Sequence, residues 1–172
     1  MKPDLLDDLR PALEGACLVG VGNPDLGDDG FGPRLAEALR AAGLAGAVSA
    51  GIEPERLVET LSGGGFRNVL FLDAVEFPGP PGAAVLLDAA AVKSRFPQIS
   101  THKISLGTLA RLIEGRCGAR VWLLGVKPLS LAPGRGLSET VGTTLEILRD
   151  LILDVLAGAP RGAGGREKVC IA

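Results

Sequence analysis

The sequence predicts a three-layer α/β fold, a twisted and mostly parallel sheet of about five strands flanked by helices. Three observations predict it. The strand-like runs are continuously apolar instead of alternating, as strands covered on both faces are. They alternate along the chain with helix-period segments. The 172 residues are enough for one domain that buries roughly two-thirds of the surface its unfolded chain exposes.

Taken in order, "ACLVGV" (16–21) reads as a buried strand, and "GPRLAEALRAAG" (32–43) as a helix with Pro33 in its first turn and Gly43 past its end. "GAVSA" (46–50) is a short strand. "PERLVETL" (54–61) is a helix opened by Pro54, with Leu57, Val58 and Leu61 on one face. "NVLFLDAV" (68–75) is the clearest strand and carries Asp73 near its end. After a loop marked by Pro78, Pro80 and Pro81, "AAVLLD" (83–88) is another strand. Residues 89–101 have no single reading.

"SLGTLARLIEG" (105–115) is a helix capped by Ser105, with Leu106, Leu109, Leu112 and Ile113 as its buried stripe. "ARVWLLGV" (119–126) is the last strand. "SETVGTTLEILRDLILDVLAG" (138–158) is a long helix with Val141, Leu145, Leu148, Ile152 and Val155 on one side. A single domain over 1–158 is followed by a Gly-rich segment, 159–172, that reads as a flexible tail.

Composition narrows the function. Aromatic residues make up 3% of the chain and tyrosine is absent, which disfavours stacking platforms for bases or sugars. The formal charge of -2 and the lack of a basic stripe give a nucleic acid nothing to bind. Cys17, Cys117 and Cys170 are odd in number and widely spaced, so reduced thiols are expected, not a disulfide framework or a zinc site. The N-terminal stretch carries acids within its apolar segment, and no run approaches the ~18 apolar residues of a membrane span. The expectation is a soluble, cytoplasmic protein.

"GVGNPDLGDDGFGPRL" (20–35) resembles a nucleotide-binding turn until its charges are counted. Asp25, Asp28 and Asp29 would repel a pyrophosphate, and the third position of G-x-G-x-x-G is not glycine. In a parallel sheet, ligands lie outside the carboxyl ends of the strands, which puts this loop and Asp73 on one rim. Two carboxylates there would resist ionising side by side. A divalent cation resolves the repulsion, and His102, the one histidine, would complete an O/O/N set suited to nickel, zinc or cobalt. The structural alternatives stand beside this reading. Asp28 or Asp29 can cap the following helix, Asp73 can accept backbone hydrogen bonds in a turn, and His102 can be an ordinary surface residue. No Walker lysine, H-E-x-x-H or G-x-S-x-G is present, and Cys17, inside the first strand, and Cys117, beside a helix end, do not read as nucleophiles.

"GVGNPDLGDDGFG", "FLDAV", "STHKISL", "LLGVKP" and "GLSETV", in that order, resemble the hydrogenase maturation endopeptidases, which process the large subunit of nickel-iron hydrogenases. The match runs from about residue 17 to 156. The resemblance implies a peptidase that removes a C-terminal extension from the large-subunit precursor after nickel insertion, with Asp29, Asp73 and His102 as the metal-contacting and catalytic residues. Nickel would arrive with the precursor, and zinc or cadmium would suit the same position. Two departures are visible: Lys127 stands where members often have glutamine, and Asp25 where they more often have an apolar residue. A non-cleaving nickel chaperone and a nucleotide-binding module remain the other readings.

Overall fold

The computed structural model describes residues 5–95, 105–134 and 136–158. Five strands form one sheet in the order β2-β1-β3-β5-β4: β1 (Ala16–Val21), β2 (Ala47–Gly51), β3 (Asn68–Ala74), β4 (Ala84–Asp88) and β5 (Arg120–Val126). All neighbours are parallel except β4, which runs antiparallel to β5 on the edge. β3 is central and wholly apolar between Asn68 at its start and Asp73, and five of its seven side chains are aliphatic or aromatic. The expected three-layer sheet is therefore present, and the 83–88 segment is its one reversed strand.

The period-two alternation of strand side chains divides the core between two faces. Cys17, Val19, Val69, Phe71, Val121 and Leu123 face α3 (Val58–Gly63), α4 (Ala89–Arg95) and α5 (Leu106–Cys117). Leu18, Leu70, Leu72, Leu124 and Val126 face α1 (Leu5–Leu13), α2 (Phe31–Ala41) and α6 (Glu139–Leu156). All five apolar residues expected along α6 are buried. Ser105 and Ser138 cap α5 and α6, their hydroxyls accepting from Thr108 N and Val141 N. Gly118, left-handed at φ 71°, ends α5.

Four details differ from the sequence reading. Residues 54–61 are not one helix: a 3-10 turn over Pro54–Leu57 precedes α3. Leu112 is 40% exposed, and Ala110 is buried in its place. The stripe 106, 109, 110, 113 fits the helical period better than one that includes 112. Residues 89–95 are helical, whereas 96–101 lie outside the described residues. Finally, α1 was not expected at all. Leu5, Leu9 and Leu13 bury one face of it, a spacing visible in the sequence but interrupted by Pro11, which ordinarily breaks a helix. Here the carbonyls of Pro11 and Glu14 accept from the Asn68 amide at 3.1 and 2.6 Å, and Trp122 donates to the Asn68 oxygen at 2.9 Å. The tail, 159–172, lies outside the described residues.

Candidate active site

The strand order reverses at β1. Its chain continues to β2 on one side, while β3 lies on the other, and open α/β sheets leave a crevice at such a point, beyond the carboxyl ends of the strands. Both acids singled out in the sequence stand there. Asp29 lies in a 3-10 turn, Gly27–Gly30, between β1 and α2. Asp73 is the next-to-last residue of β3, paired with Gly125 of β5.

Close backbone approach dictates the glycines of this turn. A Cβ on Gly22 (φ 135°) would lie 1.9 Å from the Asp29 carbonyl oxygen, and one on Gly32 would lie 2.0 Å from the Leu72 carbonyl oxygen. Their absence lets the start of α2 rest on the ends of β1 and β3. The space that a nucleotide-binding loop keeps for phosphate is filled by protein backbone, and two buried carboxylates occupy the turn. A pyrophosphate does not suit this loop.

Asp29 is 3% exposed, and its Oδ2 accepts from the Asn23 amide at 2.7 Å. Asp73 is also 3% exposed. Burial lifts its pKa well above the usual carboxylate range, the negative charge of Asp29 lifts it further, and a hydrogen bond from the Ala74 amide offsets this in part. The two acids are therefore electrostatic neighbours, as expected from the shared rim. His102 lies outside the described residues, between α4 and α5 in the chain. Among the described residues no cluster of three His, Cys, Asp or Glu side chains stands ready for a metal. Any O/O/N set here needs His102 as its nitrogen.

Asp28 does not cap α2, whose N-cap, Gly30, makes no side-chain bond. It turns the other way, to the loop between β5 and α6. Leu129 N (2.8 Å) and Ser130 N (3.0 Å) donate to its Oδ2, as does Ser138 Oγ (3.0 Å), and Ser138 N donates to Oδ1 at 2.6 Å. Burial alone would raise its pKa, but the hydrogen bonds from Ser138, Ser130 and Leu129 outweigh that and hold it below the usual value. The Asp28 amide donates in turn to Ser130 O at 2.9 Å. Two loops 101 to 110 residues apart are thereby fixed to each other. Asp25 serves through its backbone: its N–H donates to Asn23 Oδ1 at 3.0 Å and its carbonyl accepts from Gly134 N at 3.0 Å, while the residue is exposed. Lys127 folds inward, donating to the Phe77 carbonyl at 2.8 Å and standing 3.6 Å from Glu76.

A hollow of about 510 Å³ lies elsewhere, walled by Arg10, Glu14, Gly15, Val155 and Leu156. Gly15 immediately precedes β1, so this hollow is at the opposite end of the sheet from the acids. It holds no chemistry comparable to theirs, because Glu14 is already engaged by Arg67 at 2.5 Å.

Known proteins match this chain in sequence and in fold. The family model described as hydrogenase maturation protease matches residues 33–155. The chain is 31% identical over 113 residues to the hydrogenase 3 maturation protease of Escherichia coli K12, covering 64% of this chain and 71% of that one. The crystal structure of the [NiFe] hydrogenase maturation protease HycI from Thermococcus kodakarensis superposes with a TM-score of 0.77 at 29% identity, covering 87% of this chain and 99% of that one. The solution structure of the endopeptidase HycI from Escherichia coli gives 0.67 at 26% identity, over 78% and 86%.

Proposed function

The chain belongs to the hydrogenase maturation protease family, and from that premise we propose that it cuts the C-terminal extension from the large-subunit precursor of a nickel-iron hydrogenase once nickel has been inserted. The observation that carries this reading is the pair of buried acids, Asp29 and Asp73, coupled across the crevice beside the switch point. A site that holds two carboxylates away from water suits a divalent cation. His102 is the third donor. Zinc or cadmium fits the same donors.

Nickel is part of the substrate in this scheme. Three protein donors leave coordination positions for ligands of the precursor, so the bound metal marks a precursor that is ready to be cut. As a Lewis acid it polarises the scissile carbonyl or the attacking water. Asp29 and Asp73 orient the metal-loaded segment, and one of them takes the proton that water loses as it adds to the carbonyl. The C–N bond then breaks, and the proton passes to the departing amine. Three widely spaced cysteines, Cys17, Cys117 and Cys170, accord with a reducing, cytoplasmic setting.

Intact mass of a precursor incubated with the protein tests the reading. Nickel-loaded precursor loses its extension, and nickel-free precursor does not. Equal rates for the two overturn metal gating, and no cleavage of either overturns the peptidase reading.

A further inference from the structure

Among the described residues five large apolar side chains are exposed: Ile52, Leu112, Leu129, Leu131 and Leu156. Three of them gather at the rim that holds the acids. Ile52, 55% exposed, follows the last residue of β2, while Leu129 (58%) and Leu131 (42%) lie in the loop that leaves β5. The sheet order places the turn of Asp29 and the end of β3, with Asp73, between these two edges. Strands are about 4.8 Å apart, so β2 and β5 stand about 14 Å from each other. That is the length of about four residues of extended chain at ~3.3 Å each.

Neither edge is free to retract. Gly22 N donates to Gly51 O at 2.9 Å beside Ile52, and the Leu129 and Ser130 amides are committed to Asp28. Exposed aliphatic surface costs about 25 cal/mol per Å², and here the backbone holds it in place. A second copy of the chain is a poor cover. A two-fold contact sets the same patch against itself, which would seal the rim over Asp29 and Asp73 in both copies.

We propose that Ile52 on one side and Leu129 and Leu131 on the other hold aliphatic side chains of an extended precursor segment, which crosses the rim with its scissile bond over Asp29 and Asp73. The proposal rests on the peptidase reading above. It makes these three residues determinants of specificity, and the preferred precursor carries apolar side chains on both sides of the cleavage point.

The test compares the full-length protein with Ile52→Gln, Leu129→Gln and the double variant on nickel-loaded precursor, with Leu112→Gln as an exposed apolar control on α5. The double variant raises KM about tenfold or more with kcat nearly unchanged, the pattern of lost uniform binding, and the control matches wild type. A double variant within twofold of wild type in KM overturns the proposal. Binding is measured separately in an Asp73→Asn background by titrating labelled precursor. If wild type cuts nothing yet Asp73→Asn binds precursor tenfold more tightly than Asp73→Asn combined with Ile52→Gln and Leu129→Gln, the peptidase reading falls and the apolar surface stands. If the substitutions leave precursor binding intact and instead shift the protein's sedimentation coefficient, the face joins copies of this chain and the proposal is wrong.

Discussion

Asp73 sits under the negative charge of Asp29 in a place where neither reaches bulk water. Its folded pKa lies above its unfolded value, so the native state holds on to the proton longer. Stability therefore falls as pH rises from the unfolded value of about 3.9 through the raised folded value, and the full penalty is present above it. Asp73→Asn removes that penalty. The variant is inactive in precursor processing, yet melts higher than wild type at pH 8 in chelator, by about 2–4 °C for each kcal/mol recovered. Well below the unfolded value of about 3.9 the difference vanishes, because wild-type Asp73 is then protonated in both states. Melting curves at the two pH values check it.

Asp28 predicts the opposite sign. Its folded pKa is held below the ordinary value, so its contribution is present above the unfolded value and is lost as pH falls through the folded one. Asp28→Asn leaves backbone donors of Leu129, Ser130 and Ser138 competing for a weaker acceptor and costs about 2–4 kcal/mol at pH 7. The gap between wild type and variant narrows as acid is added. Urea melts at pH 7 and pH 3.5 measure both values.

The two kinds of glycine in this chain respond differently to a methyl group. Gly32→Ala drives a Cβ into the carbonyl oxygens of Leu72 and Val21, 2.0 and 2.4 Å away, and destabilises by about 3 kcal/mol. Gly142, in α6 with nothing within 4 Å of its Cβ position, is the contrast. Gly142→Ala stabilises by about 0.5–1 kcal/mol. Denaturant midpoints of the pair distinguish close approach from simple helix propensity.

His102→Ala is expected to stop processing of nickel-loaded precursor at an unchanged melting temperature. Processing at the wild-type rate removes His102 from the site. Intact mass and a thermal melt on the same preparation decide it.

The sheet and its two helical layers were legible because burial on both faces leaves a long apolar signature. β3 and α6 announce themselves in this way. Pairing direction was not legible, since "AAVLLD" reads alike in a parallel or an antiparallel strand. Pro11 concealed α1, whose place is secured by Asn68 from 57 residues away, and no local rule carries that bond. Asp29 and Asp73 could be placed on one rim because strand ends are predictable from sequence. Asp28 could not be assigned: the helix that follows it is a near and ordinary partner, and its real partners arrive 101 to 110 residues later. The exposed edges at Ile52 and Leu129 were hidden for a related reason, because a loop aliphatic declares its burial only after folding.

The bond from Ser138 N to Asp28 spans 110 residues, and this gives the site a birth time. When the turn of Asp28 and Asp29 leaves the ribosome, the amides that will hold it have not yet been made. At about 5–20 residues per second, their arrival lags by roughly 5–20 s. Until then a nascent chain has acids without a frame, and a truncated product ending before residue 129 never acquires one. The frame around Asp28 is thus complete only once Ser138 has joined the chain.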